Sequence, residues 1–290
     1  LQQASATSSK TSENPATIEE VLGLSQAIYD TKNALNGEQR LATEKSKDLK
    51  LIKGLKDLNK AQLEDVTNKV NSANTLTELS QLTQSTLELN DKMKLLRDKL
   101  KTLVNPVKAS LNYRNADYNL KRQFNKALKE AKGVLNKNSG TNVNINDIQH
   151  LLTQIDNAKD QLNGERRLKE HQQKSEVFII KELDILNNAQ KAAIINQIRA
   201  SKDIKIINQI VDNAIELNDA MQGLKEHVAQ LTATTKDNIE YLNADEDHKL
   251  QYDYAINLAN NVLDKENGTN KDANIIIGMI QNMDDARALL

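Results

Sequence analysis

The sequence predicts an all-α chain: tandem three-helix bundles linked by shared long helices into an elongated rod. Three observations carry this expectation. Apolar residues recur every three or four positions, helix-breaking residues are scarce, and the whole pattern is written twice. Among 290 residues there are only two prolines and nine glycines. Leu, Ala, Lys, Glu and Gln dominate, and all favour helices. Asn, which favours caps and turns, is also abundant. No stretch alternates polar and apolar residues as a strand would. Apolar residues make up 38% of the chain and aromatics 3%, with no Trp. That is too little for one thick core, but enough for several thin cores of Leu, Ile, Val and Ala.

The repeat follows from short motifs. Leu35-Asn36-Gly37-Glu38-Gln39-Arg40-Leu41 returns as Leu162-Asn163-Gly164-Glu165-Arg166-Arg167-Leu168, 127 residues later. Leu58-Asn59-Lys60-Ala61-Gln62 returns as Leu186-Asn187-Asn188-Ala189-Gln190, and Leu89-Asn90-Asp91 as Leu217-Asn218-Asp219, both at an offset of 128. Asn115-Ala116-Asp117 and Gly140-Thr141-Asn142 recur at the same offset, as Asn243-Ala244-Asp245 and Gly268-Thr269-Asn270. A simple solenoid repeats every ~20–50 residues, so each of these longer units is expected to hold two small bundles.

The helices can be placed in order. Residues 1–16 are rich in Ser, Thr and Gln and read as a disordered tail. Thr17 with Glu20 forms a capping box after Pro15, so a helix starts there. Asn36-Gly37 is a turn signal, yet Ile28, Leu35, Ala42 and Leu49 keep a seven-residue step across it. One long helix through Gly37, and likewise through Gly164, is the favoured reading, with a tight turn as the alternative. Asn59 with Gln62, and Asn187 with Gln190, cap a short helix that reaches about Ser72 in the first unit. Thr75 with Glu78 caps the next, and Asp203 stands at the matching position of the second unit. That helix is expected to stop before Pro106. Asn115-Ala116-Asp117 opens another helix, carrying Phe124, Ala127, Leu128, Ala131 and Val134 on one face. Asn146 or Asp147 caps the last, with Ile148, Leu151, Leu152, Ile155, Ala158 and Leu162 as its stripe.

These residues carry a family resemblance. The Asn-Gly-Glu-x-Arg-Leu signature and the following Leu-Asn-x-Ala-Gln resemble the giant staphylococcal extracellular-matrix-binding proteins of the Ebh and Embp type. Their repeats join a FIVAR module to a GA-like module. On that template residues 17–37 resemble the last helix of a preceding FIVAR module. Residues 38–88 and 164–216 resemble GA-like three-helix modules, and residues 89–163 and 217–290 resemble FIVAR three-helix modules. The resemblance implies a repeat segment of a cell-surface adhesin, cell-wall-associated or secreted, that binds host fibronectin and supports attachment, biofilm formation and virulence. GA modules elsewhere bind albumin through an apolar and aromatic second helix. Here Leu63–Val70 and Ala193–Ile198 hold no aromatic, so albumin binding is not expected. The rival reading is a rod or spacer without a ligand that contributes to envelope integrity.

Composition narrows the chemistry. Lys plus Arg is 39 and Asp plus Glu is 40, a net charge of −1, so no bulk attraction to nucleic acid is expected. There is no Cys, which removes disulfides and thiolate chemistry. No apolar run approaches the ~20 residues of a membrane span. The polar start carries no leader pattern and reads as the beginning of a fragment, expected to be monomeric. The four histidines, His150, His171, His227 and His248, form no metal or catalytic motif and do not recur at the repeat offset. Asp245-Glu246-Asp247 lacks the spacing of a calcium loop and suits a helix N-terminus. The sequence therefore predicts no enzyme, no cofactor, no metal and no catalytic residue, and it leaves the partner-binding residues open. Tyr113 recurs as Tyr241, and Phe124 matches Tyr252; core packing is expected, a protein-binding edge the alternative.

The two FIVAR-like segments have opposite charge. Residues 89–163 carry 14 Lys/Arg and 7 Asp/Glu, net +7, whereas residues 217–290 carry 6 and 13, net −7. A partner held by ion pairs would not bind both alike. Neighbouring rods could instead attract one another through alternate modules.

Overall fold

The computed structural model describes residues 2–290. Among them every regular element is helical: α1 (Gln2–Ser8), α2 (Ile18–Asn33), α3 (Gly37–Lys53), α4 (Lys60–Ser72), α5 (Leu76–Ala109), α6 (Leu111–Arg114), α7 (Tyr118–Val134), α8 (Ile145–Asp160), α9 (Gly164–Lys181), α10 (Asn188–Ala200), α11 (Ile204–Thr234), α12 (Ile239–Asn243), α13 (Glu246–Leu263) and α14 (Ala273–Ala288).

The capping signatures act as read on every helix for which one is expected except α8. Thr17 and Glu20 form a full capping box on α2, as do Asn59 and Gln62 on α4 and Asn187 and Gln190 on α10. Thr75 Oγ1 accepts from Glu78 N at 3.1 Å, and Asp203 caps α11. Asp245 is the N-cap of α13, with Glu246 and Asp247 in its first turn, where negative charge meets the positive end of the helix dipole.

Packing divides the chain into two compact units. One holds the residues up to Lys101 together with Lys126–Asp156; the other holds Thr102–Asn125 and Asn157–Leu290. In the first unit Ile52, Val66, Val70, Ala73 and Leu79 form one apolar cluster. Further along α5, Met93, Leu96 and Leu100 are buried, as are Leu128, Ala131 and Val134 of α7 and Ile148, Leu152 and Ile155 of α8. In the second unit one cluster runs from Leu168 and Ile179 of α9, through Ile194 and Ile198 of α10, to Tyr252 and Ile256 of α13 and Ile276 and Met283 of α14. Helix α11, 31 residues long, packs on α9, α10, α13 and α14. A helix of that length spans roughly 45 Å, enough to serve two bundles in succession.

Four expectations are corrected. The helix does not run through Gly37 or Gly164. Ala34 N and Leu35 N bond back to Asp30 O and Lys32 O, closing α2, and Asn36 leaves the helical region at φ −110°, ψ 19°. Three residues, close to one turn, separate α2 from α3, so the apolar stripe keeps its step although the helix breaks. Helix α5 does not stop before Pro106 but continues to Ala109. The proline forfeits one backbone donor, a modest loss this close to the helix end. Helix α8 is capped neither by Asn146 nor by Asp147. Asn144 Oδ1 accepts from Asp147 N at 3.1 Å, and Asp147 Oδ2 accepts from Asn144 N at 3.0 Å. Finally, the segment expected to be a disordered tail contains α1, which buries no residue.

The two Asn-Gly turns differ in surroundings. A Cβ on Gly37 would meet nothing within 4 Å, whereas one on Gly164 would lie 2.3 Å from Asn112 O and 2.6 Å from Ala116 N and Leu111 O. Gly164→Ala should therefore destabilise the second unit by ~2 kcal/mol or more. Gly37→Ala should be neutral, or stabilising by up to ~1 kcal/mol. Hydrogen exchange resolved on α9 and α3 checks both; equal responses would contradict this account.

Candidate interaction surfaces

The buried polar residues decide which surfaces remain for a partner. Asn59 and Gln62 are both fully buried. Within their capping box each backbone N–H donates to the other's side-chain oxygen, at 3.0 and 2.9 Å. The amide nitrogens face the other way. Asn59 Nδ2 donates to Val134 O at 3.0 Å and Thr141 O at 2.9 Å, and Gln62 Nε2 to Val143 O at 3.0 Å. The second copy repeats the arrangement: Asn187 Nδ2 reaches Val262 O (2.9 Å) and Thr269 O (3.0 Å), and Gln190 Nε2 reaches Lys271 O (3.2 Å).

The same loop is tied at its other side. Lys60 N donates to Lys137 O at 2.8 Å, and Asn188 N to Lys265 O at 2.9 Å. Lys137 Nζ returns a bond to Leu58 O at 2.9 Å and contacts Lys56 O; Lys265 Nζ reaches Leu186 O at 3.3 Å. Burial pushes the pKa of both ammonium groups down. Gly140 and Gly268 are required here. A Cβ would lie 2.4 Å from Val134 O and 2.7 Å from Asn59 Nδ2 at the first, and 2.3 Å from Asp264 O and 2.6 Å from Asn187 Nδ2 at the second. The Leu-Asn-x-Ala-Gln and Gly-Thr-Asn motifs are thus two halves of one joint. Capping accounts for only half of what the Asn and Gln do; the other half lies beyond any local pattern.

A second joint uses the remaining motifs. Asn163 Oδ1 accepts from Asp117 N at 3.1 Å, and its Nδ2 donates to Asp117 Oδ2 at 2.6 Å. Arg167 donates to Asn115 O at 2.7 Å and pairs with Asp117 at 3.0 Å. Asn115, itself buried, donates to Lys202 O at 3.0 Å and accepts from Ile204 N at 3.0 Å, at the start of α11. Gly164 lets α6 approach α9.

The aromatic residues are mostly core. Phe124 and Tyr252 are fully buried, and each meets a half-buried tyrosine edge to face, Tyr113 at 5.9 Å and Tyr241 at 5.8 Å. Tyr252 donates to Leu231 O, and Tyr241 to Asp253 at 3.0 Å. Burial, then Asp253, raises the Tyr241 pKa; the bond to Asp253 raises that of Lys236. On the second helix of each GA-like segment the apolar side chains are turned inward. Val66, Val70, Ile194 and Ile198 are buried, leaving a polar outer face.

No group of three His, Asp or Glu gathers as a metal site among the described residues. His150 is exposed, His171 lies 2.6 Å from Asn208, and His227 lies 2.8 Å from Asp284. The concavity of about 860 Å³ between α3 and α5 is an open groove lined mainly by polar residues such as Arg40, Asp48 and Ser80. No helix is long and apolar enough to cross a membrane among the described residues.

Joined helical bundles written out in tandem define a modular repeat protein, and comparison with known proteins says which. The FIVAR domain model matches residues 92–163 and 220–290, and the GA module model matches residues 38–92 and 170–220. The chain is 33% identical over 244 residues, 84% of its length, to the extracellular matrix-binding protein ebh of Staphylococcus aureus strain MRSA252. It is 34% identical over 251 residues, 87% of its length, to EbhA of strain Newman. It spans only 2% and 7% of those relatives. A crystal structure of an EbhA domain from the same species superposes with a TM-score of 0.60 at 27% identity, covering 68% of this chain and 77% of that one. The chain belongs to the staphylococcal Ebh-type family of FIVAR and GA repeat proteins.

Asparagine and aspartate cap helices about equally well, so one substitution separates cap from joint. Asn187→Asp keeps the cap oxygen but removes both donors to Val262 O and Thr269 O. It should cost ~2–4 kcal/mol, since buried acceptors lose their partners. Urea unfolding of the variant checks this; a change near zero would mean that only the cap matters.

Proposed function

We propose that this chain is a repeat segment of a bacterial surface adhesin, displayed outside the cell, that contacts a host extracellular-matrix protein. Fibronectin is the specific partner proposed, with attachment and biofilm formation as the consequence. The observation that carries the reading is similarity over more than four-fifths of the chain to proteins named for matrix binding. No enzymatic role is proposed. Helix α2 exposes Ile18 (78%) and Leu22 (64%) and buries nothing. We read its stripe as the closing helix of another FIVAR module, ahead of GA modules at 38–88 and 164–216 and FIVAR modules at 89–163 and 217–290.

One observation favours a second reading, a spacer whose repeats hold no ligand. The polar residues that recur in both copies are largely consumed by the joints, whereas the net charge of the FIVAR segments inverts from +7 to −7. A binding face common to both modules would need shared exposed residues. Avidity over many weak sites could meet that difficulty, because linking sites raises effective affinity without new contacts.

Titrating the whole chain over immobilised fibronectin at several salt concentrations separates the readings. Adhesion predicts saturable binding. Charge reversal of Arg122 and Lys126 should alter its salt slope if the basic module makes the contact. No saturable binding at any salt would favour the spacer.

A further inference from the structure

The second FIVAR segment carries an apolar face that the first lacks. Leu250, Tyr254 and Leu258 follow one another at four-residue steps on α13 and stand exposed, Tyr254 by 65%. With Met279 of α14 and Leu289 at its C-terminal cap, Tyr254 and Leu258 line a groove of about 300 Å³. Asp285 also lines it, its carboxylate accepting from Gln281 at 2.9 Å. At the 128-residue offset the first copy has Arg122, Lys126 and Glu130 on α7 and Gln161 after α8, all exposed. Buried positions pair at the same offset as Phe124 with Tyr252, Leu128 with Ile256, and Ala131 with Ala259. The bundle therefore does not need apolar residues at these surface sites. They are an addition to the fold.

What would cover such a face is constrained by charge. The segment around it is net −7, so its complement is basic and carries an apolar or aromatic side chain for the groove. One helix of this chain has that composition on one exposed face. Helix α7 presents Tyr118 (75% exposed), Arg122, Lys126 and Lys129, at spacings that place them on one side. Its segment is net +7.

We propose that the α13–α14 groove docks the α7 face of a second copy of this chain, with Tyr118 seated beside Tyr254 and Leu258 and the α7 cations facing the acidic module. Each chain carries both faces, and the two are different surfaces. The contact is therefore heterologous and does not close on itself, so association continues with concentration instead of stopping at a dimer. Attraction between the modules steers the encounter and weakens with salt, while the apolar contact persists.

Sedimentation velocity of the intact chain tests this at about 20 mM and about 500 mM salt, where screening lengths differ several-fold. The expected result is concentration-dependent growth in sedimentation coefficient at low salt and less at high salt. Tyr254→Lys places at this site the residue that the first copy carries at the matching position, so the fold is retained. It should weaken association by about tenfold or more, the effect of losing ~1.4 kcal/mol. Arg122→Glu with Lys126→Glu should do the same, acting from the other face. A chain that stays monomeric at every salt and concentration overturns the proposal, as does association that Tyr254→Lys leaves unchanged. If the chain stays monomeric but Tyr254→Lys reduces fibronectin binding, the groove belongs to the matrix partner and self-docking is refuted.

Discussion

Asn59 and Asn187 each hold two backbone carbonyls, one at the end of a helix and one in the loop that follows it, 75 and 82 residues further along the chain, and the arrangement of each repeat depends on that bond pair. Both amide hydrogens and the amide oxygen are used, and the site is closed to water. A buried amide with every group satisfied costs little, whereas one left half satisfied is expensive. The site therefore fixes the loop in one position and not in a range of positions. Gly140 and Gly268 complete it by allowing backbone where a side chain would collide. Neither the GA-like nor the FIVAR segment contains a whole joint. Their boundary is a line in the sequence and not a line in the packing.

The second joint applies the same logic between repeats. Asn115, Asp117, Asn163 and Arg167 satisfy backbone ends of α7 and α11 that would otherwise lie open. This explains why the second compact unit takes in residues 102–125: α6 packs on α9. Stability in such an array is shared between the bundles and the interfaces that link them. A bundle excised at a module boundary loses partners for buried polar groups as well as apolar contact.

Once the joints are subtracted, the two repeats have little surface in common. Charge on the FIVAR segments is free to invert, and apolar residues are free to appear on α13, because neither touches a core position or a joint. Divergent faces on matched scaffolds allow each copy its own partner. They also allow one copy to be the partner of another.

The sequence by itself determined the helices, their stripes and most of their caps, because those depend on residues three and four apart. Thr17 with Glu20, Asn59 with Gln62, and Phe124 with Leu128 were all legible in that way. It also determined the repeat and its charge inversion. It did not determine the break at Gly37, because a three-residue interruption near one turn leaves the apolar period intact. Nor did it show that α5 runs past Pro106, since the cost of a proline depends on how close the helix end lies. Only the tertiary structure decided what the recurring Asn, Gln and Gly residues are for. Asn59 and Gly140 meet across more than eighty residues of chain, and a hydrogen bond between such distant groups leaves no periodic trace in the sequence.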